Sequence, residues 1–363
     1  MWKALVCALG LLTMAASVTA QQAPPTSDLV DAWNAGGAYV TWQSTLPENV
    51  RRPVQVFYSC QGDASKPQVL LVHGFPTSSF DFRGLMRELQ ADYRLCTLDF
   101  PGYGLSDKPK DGYRYTLADD AALLWKFVTE VVPMKEFVLL SHDRGDSVAL
   151  AFLEKLQATP NAPFRITHQF ITNGNLYLPL ANLTDFQKRM LDPVTAPAAV
   201  KGMSAGLLAV GMGTSQYTPS LKGDDPEVKA LAALFAYQDG VQAIPATIQY
   251  LNERRQFEVR FLDTLNKSRI PATIAWGAHD TVSPVRVADY VFTTALKSRP
   301  APGAFWLMPC GSHYVQHDQA SDLAKLVRTT LAAQASGKPT QAAPFNLANE
   351  PCAPVLVAST TGN

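Results

Sequence analysis

Apolar residues along the chain alternate between two spacings. Short runs of strand length recur at 54–59 (VQVFYS), 68–72 (QVLLV), 95–99, 138–141, 166–172, 272–276 and 304–308. They are rich in branched and aromatic residues, as strands are. Between and after them the apolar positions take helical spacing over 80–90, 117–131, from the turn at 143 to about 157, over 285–297, and from 320 to about 334. Thr116 with Asp119 predicts a capping box at the start of the second of these helices. Strands alternating with helices predict a mostly parallel, eight-stranded sheet with helices on both faces. Residues 177–255 break the alternation, with apolar helical segments, glycines and prolines but no convincing strand. An insertion there would cover the carboxyl edge of the sheet, where open α/β sheets place their sites. It is read as a helical cap between a first core segment, 21–176, and a second, 256–336. The tail, 337–363, is rich in Ala, Pro, Thr and Asn and is expected to be irregular. The pattern has no internal repeat.

Length allows either one large α/β domain with an inserted cap or two modest domains, at 363 residues with 47% hydrophobic and 17% charged. Formal net charge is zero and no basic stripe occurs, which argues against a nucleic-acid partner. Residues 1–20 are a separate object. Lys3 is followed by an apolar stretch, Ala4 to Ala16, and by the small residues Val18-Thr19-Ala20. That is the pattern of a secretory signal peptide cut after Ala20, and it predicts a secreted or periplasmic protein with no stable membrane association after cleavage. The competing reading, an uncleaved anchor, meets an apolar stretch shorter than the roughly 20 residues a span needs. Cys7 leaves with the signal, and Cys60, Cys96, Cys310 and Cys352 remain. An even number in an exported chain suggests disulfides, and four cysteines allow three pairings.

The candidate chemistry begins at VLLSHDRGDSVAL, 138–150. A strand stops at a small residue, a tight polar turn follows, and a helix begins. Asp143 sits at the tip with Ser141 and Gly145 two residues to either side, the spacing of a nucleophile elbow. Small flanking residues let strand and helix pass closely, and the helix N-terminus favours a negative charge. A carboxylate gains little by attacking an ester or amide. It can displace a leaving group from sp³ carbon and form an alkyl ester that water then cleaves. The second step needs a base and an oxyanion hole. His313 follows the strand ending at Met308 and is the candidate base. Asp280, after the strand ending at 276, is the candidate acid that orients it. The backbone N–H groups of Phe75, in HGFP (73–76), and Arg144 are the candidate hole. His279 and His317 are weaker choices for the base, Asp99 and Asp318 for the acid. Each piece alone has an ordinary explanation, such as a cap, a turn or a surface residue. Their joint order, each after its own strand, is what points to a triad.

These segments resemble the α/β-hydrolase superfamily: LVHGFP, LDFPGYGLSDKP (98–109), LSHDRGD, WGAHDTVSP (276–284) and GSHYVQHD (311–318). The resemblance covers roughly residues 30–335. Aspartate at the elbow is similar to the epoxide hydrolase and haloalkane dehalogenase branch. SHDRGDSVAL with ITNGNLYLP, and DGVQAIPATIQYLNERRQF (239–257), resemble the mesoderm-specific transcript proteins, an epoxide-hydrolase-like group. The resemblance implies hydrolysis of a small molecule, an epoxide or an alkyl halide, with no cofactor and no metal. It also implies the pairings Cys60–Cys96 and Cys310–Cys352.

The leaving group separates the branches. Haloalkane dehalogenases hold the halide with indole N–H groups, one following the nucleophile, where this chain has Arg144, and they carry a polar amide where it has Pro76. Residues 177–255 contain no Trp. Fluoroacetate dehalogenases do carry Arg after the nucleophile, but they use a second Arg where this chain has Asp146 or Ser147, and cap His and Trp that are absent here. Epoxide hydrolases use cap tyrosines to protonate the departing oxygen. The cap offers Tyr177, Tyr217, Tyr237 and Tyr250. Tyr217, in a Gly-rich stretch, and Tyr250, in the segment like the mesoderm-specific transcript group, are the candidates, against a packing role for each. Arg144 either binds an acidic substrate group or pairs with Asp146 or a cap carboxylate. Asn173 and Asn175 line the pocket or make the turn, and the turn is favoured. The expectation is an exported epoxide hydrolase. A dehalogenase sharing its nucleophile, a non-catalytic binding protein of the same fold, and a serine esterase using Ser141 or Ser147 are the alternatives. Oligomeric state is not legible.

Overall fold

The computed structural model of the chain describes residues 27–110, 112–338, 345 and 349–362. The expected signal peptide lies outside them. Among these residues nine strands form one sheet: β1 (Gly37–Trp42), β2 (Val54–Gln61), β3 (Gln68–Val72), β4 (Arg94–Leu98), β5 (Glu136–His142), β6 (Arg165–Thr172), β7 (Ala272–Gly277), β8 (Gly303–Met308) and β9 (Val355–Thr360). Their order is β1-β2-β4-β3-β5-β6-β7-β8-β9. The strands from β4 to β8 run parallel, while β1, β2 and β9 pair antiparallel at the two edges. The sheet thus has one strand more than the eight expected. The extra one is β9, in the tail expected to be irregular, where VLVAST supplies a branched, strand-forming run at the end of a Pro- and Ala-rich stretch.

The central strands are apolar throughout because both faces are covered. In β3, Leu70 and Val72 join one core while Val69 and Leu71 join the other. In β5, Leu139 faces the first core, and Val138 and Leu140 face the second. Among the described residues, thirteen α-helices accompany the sheet. In the first core segment they are α1 (Asp28–Ala35), α2 (Arg83–Leu89), α3 (Leu117–Lys126) and α4 (Arg144–Gln157). Between β6 and β7 lie α5 (Asp185–Met190), α6 (Ala196–Val200), α7 (Ala205–Gln216), α8 (Pro226–Ala236), α9 (Ile244–Thr247) and α10 (Tyr250–Lys267). The chain ends with α11 (Val285–Val291), α12 (Val315–Asp318) and α13 (Ala320–Ala335). Residues 177–255 hold helices and no strand, and α10 runs past residue 255 without a break. At α3, half of the capping box forms. Thr116 accepts from the Asp119 N–H at 3.1 Å, but the Asp119 carboxylate turns away to bind Thr45 at 2.7 Å.

Two disulfides are present, Cys60–Cys96 and Cys310–Cys352. The first joins residues that face each other across β2 and β4. The second ties the tail to the loop that follows β8. The two bridges are compatible with an extracellular protein. Among the described residues, no helix is long and apolar enough to cross a membrane.

Candidate active site

β5 ends at His142, and Asp143 turns the chain into α4 with φ 51° and ψ −116°. A non-glycine residue rarely takes positive φ, and strain of this kind concentrates at functional sites. Neighbouring glycines make the turn possible. A Cβ on Gly145 would lie 2.2 Å from the Val72 carbonyl oxygen, and one on Gly74 would lie 2.6 Å from Asp143 Cβ. Only glycine lets α4 and the loop after β3 come so close to the elbow.

The carboxylate of Asp143 is almost wholly buried, and so are its two partners. His313 Nε2 lies 3.7 Å from Asp143 Oδ2, and Nδ1 lies 2.9 Å from Asp280 Oδ2. The loops after β8 and β7 carry His313 and Asp280, so three strand ends bring together residues distant in sequence. Asp280 is held on both oxygens. Asn173 Nδ2 donates to Oδ2 at 2.8 Å, and the Val282 and Ser283 N–H groups donate to Oδ1, each at 2.8 Å. The Asn173 Oδ1 accepts from the Gly277 N–H at 3.1 Å. Asn173 does take positive φ as a turn residue, but its amide also fixes the triad acid, a role the sequence reading passed over. Burial alone would disfavour the imidazolium of His313. The Asp280 charge and hydrogen bond outweigh it, Asp143 adds to them, and the ring is pushed up to about 9.

The Phe75 N–H donates to Asp143 Oδ1 at 2.8 Å. Its loop is pinned by His73, whose Nε2 accepts from the Phe100 N–H at 3.0 Å while Nδ1 lies 2.8 Å from the Gly74 carbonyl. This pattern requires the proton on Nδ1. Arg144 opens α4 beside the carboxylate, its backbone on the first turn of the helix. In front of His313 and Phe75 lies a cavity of about 380 Å³, walled by Phe186 of α5, by Met203 in the loop before α7, and by Leu208 and Met212 of α7. Among the described residues lining it, only His313 can carry a charge, and a neutral, largely apolar ligand suits it.

The Arg144 side chain does not reach for substrate. It is ion-paired with Asp120 of α3, not with Asp146 or a cap carboxylate. Rings of Phe100, Tyr103 and Tyr250 surround its guanidinium at 5.2, 5.0 and 5.6 Å. Asp146 instead accepts from Ser141 Oγ at 2.5 Å, and Ser147 Oγ accepts from Arg254 Nε at 2.5 Å. Both serines are engaged away from the elbow tip, which disfavours a serine esterase. Tyr250 is buried, its ring 5.7 Å from that of Phe75, and its phenol oxygen has no hydrogen-bond partner among the described residues. Burial pushes its phenol well up, and Asp143 pushes it further. Tyr217 stacks on Tyr314 at 4.6 Å and meets His317 edge-on at 4.9 Å. Of the weaker sequence candidates, Asp99 binds Ser79 and the Leu105 N–H, Asp318 binds the Ser312 and Thr218 N–H groups, and His279 is exposed. Among the described residues no three His, Cys, Asp or Glu side chains are grouped to hold a metal ion.

Known proteins resemble this chain in sequence and in fold. Residues 67–166 match the family described as alpha/beta hydrolase fold. A Mycobacterium tuberculosis protein named as the hydrolase LipZ is 31% identical over 291 residues, covering 80% of this chain and 94% of its own. The mesoderm-specific transcript protein of Mus musculus is 27% identical over 266 residues, covering 72% of this chain and 76% of its own. Among solved structures, the haloalkane dehalogenase DbeA from Bradyrhizobium elkani matches with a TM-score of 0.65 at 19% identity, covering 83% of this chain and all of its own. At that identity the likeness is one of fold.

Proposed function

The chain belongs to the α/β-hydrolase family, and from that premise we propose that it hydrolyses epoxides to diols through an ester formed on Asp143. Asp143 attacks an epoxide carbon, the C–O bond breaks, and its electron pair moves to the ring oxygen. Tyr250 gives that oxygen its proton. His313, protonated while it faces the Asp143 carboxylate, loses that stabilising charge once the ester forms and returns a proton to the Tyr250 phenolate. The neutral imidazole then takes a proton from water, which attacks the ester carbonyl. Phe75 and Arg144 N–H groups stabilise the oxyanion. Release of the diol restores the carboxylate and the imidazolium, and one water has been consumed.

The observation that carries this reading is the elbow carboxylate, with the Phe75 N–H on one oxygen and His313 beside the other. Tyr250 adds an unpartnered phenol close enough to Asp143 to feel its charge. Halide loss is less well supported, because 177–255 contains no Trp and the Arg144 guanidinium is taken up by Asp120. Tyr217 is the weaker acid candidate, since the groups acting on it are Tyr314, His317 and the carboxylates of Asp81, Glu227 and Asp318. The segment 1–20 and the two disulfides support export.

The test is the intact mass of His313→Gln after incubation with a panel of epoxides and haloalkanes. A gain of a whole epoxide on Asp143 is the expected result. A gain equal to a haloalkane less HX would replace epoxide hydrolysis with dehalogenation. An adduct on any other residue would refute Asp143 as the nucleophile.

A further inference from the structure

Arg254 is buried to the last 1% of its surface, yet no carboxylate lies within ion-pair distance of it among the described residues. Burying a cation without a paired anion is costly and calls for an explanation. Its contacts all lead to the elbow. Nε donates to Ser147 Oγ at 2.5 Å, and Nη2 lies 3.3 Å from the backbone carbonyl oxygen of Asp143 itself. The guanidinium carbon stands 5.2 Å from the centre of the Tyr250 ring. That of Arg144, arriving from α4, stands 5.6 Å from the same ring. Tyr250 and Arg254 are one helical turn apart on α10, so their side chains share a face. Both cations thus lie near one ring, whose phenol oxygen has no hydrogen-bond partner among the described residues.

We propose that Arg254 and Arg144 form a charge bracket around Tyr250 that holds the negative charge its oxygen acquires on protonating the epoxide oxygen. This rests on the reading of Tyr250 as the proton donor. An alkoxide leaves the carbon, the phenol proton moves to it, and a phenolate is left until His313 returns a proton. In a buried site that phenolate needs fixed positive charge, because burial takes it out of bulk solvent. The charged and titratable groups that act on Tyr250 include Asp143, Arg254, Tyr103, Arg144 and Tyr314. Burial and Asp143 oppose ionisation, whereas Arg254 and Arg144 favour it. Arg144 is ion-paired with Asp120, whereas Arg254 has no carboxylate at ion-pair distance among the described residues and acts on the buried Asp146 only through its field. Both arginines are positioning residues here, acting through Tyr250 and not on the substrate.

The test reads the phenol directly. With 3-fluorotyrosine at position 250, its ¹⁹F shift follows ionisation of the resting protein with no substrate present. Arg254→Met is expected to raise the midpoint by about one pH unit or more, a tenfold loss of acidity. Arg254→Lys is expected to recover part of it. If Arg254→Met fails to fold, Arg254→Gln keeps a donor for Ser147 without the charge and carries the same expectation. A midpoint that stays in place or falls overturns the bracket, whatever the protein turns over. In the His313→Gln background, ester formation from styrene oxide is then expected to slow at least tenfold in the Arg254 variant and to recover when fluorotyrosine replaces Tyr250. Ester formation at full rate in Tyr250→Phe would overturn both the acid and the bracket's part in the reaction. A shifted midpoint with adducts from haloalkanes alone would overturn the epoxide reading and leave the bracket standing.

Discussion

Two cavities of about 380 Å³ lie at opposite ends of the sheet, and each is lined by a buried histidine. At the carboxyl ends of the strands it is His313, with Asp280 on Nδ1 and Asp143 near Nε2. At the amino ends it is His168, with Gln334 Oε1 2.6 Å from Nδ1 and Thr273 Oγ1 3.0 Å from Nε2. Burial disfavours the charged form in both. With only neutral hydrogen-bond partners, burial prevails and His168 falls to about 4; the Gln334 hydrogen bond pulls it back somewhat and the Arg299 charge pushes it further down. With two carboxylates, the balance reverses and His313 rises to about 9. Cavity size and burial are shared. The anionic partners are what make one end a candidate for chemistry and the other a packed polar seam.

The largest expected effect separates the two ends by activity. Asp143→Asn should abolish turnover with the fold retained in circular dichroism, provided mass spectrometry excludes deamidation. His313→Gln should form the ester yet slow its hydrolysis by about 10²–10⁴-fold, the usual worth of a general base. His168→Gln should leave turnover within a factor of about two, since nothing it touches reaches Asp143. Equal losses in the two histidine variants would erase the distinction between the ends.

The same contrast appears in stability, with opposite sign. His313 binds its proton more tightly folded than unfolded, near 9 against the reference of about 6.5. Its contribution is fully present below that reference and is lost as pH rises through about 9. His168 is held neutral when folded, near 4, so the unfolded chain binds more protons between about 4 and 6.5. Its effect is a loss of stability as pH falls through that window. Each difference amounts to about 3 kcal/mol at most, from 1.36 kcal/mol per pKa unit. Urea unfolding from pH 4 to 9 checks this. The stability difference between wild type and His313→Gln should shrink on the alkaline side, and that between wild type and His168→Gln on the acid side. A common slope for both would contradict the assignment of charge to one end only.

The carboxyl end was largely legible in the sequence because its signals are local. Asp143 is flanked by Ser141 and Gly145, and Asp280 and His313 each follow an apolar strand run. What stayed hidden is pairing across the fold. Asp120 reads only as a helix residue, yet it is the partner of Arg144, and Arg254 reads only as one charge in NERRQF. Neither relation leaves a trace in periodicity. The strand β9 was masked by the composition around it, and Asn173 by its fitness for a turn, which it also makes. Asn173→Ala tests the hidden part of the triad. It leaves Asp280 with one donor fewer in a buried site and should slow ester hydrolysis about tenfold, in line with roughly 1–3 kcal/mol for a lost buried partner. Rapid-quench measurement of adduct decay reads this step alone, and unchanged decay would reduce Asn173 to a turn residue.

The smallest predicted effect asks whether the two histidines differ only in their partners. Gln334→Glu places a carboxylate on His168 Nδ1 with little change of shape. Gln334 lies at the exposed end of α13, so solvent screens the new charge and the gain is limited. An NMR titration of the His168 ring should move up from about 4 by about one unit, well short of His313 at about 9. The shortfall is itself informative. Asp280 receives three hydrogen bonds besides that of His313 and is shielded from water, so its charge acts at close range in a site of low polarisability. A carboxylate supplied from the surface reproduces the contact without that setting. If His168 did not move at all, the contact would count for nothing, and the difference between the ends would rest on the Asp143 charge alone. If it moved as far as His313, burial of the carboxylate would be irrelevant. An intermediate shift assigns a share to each.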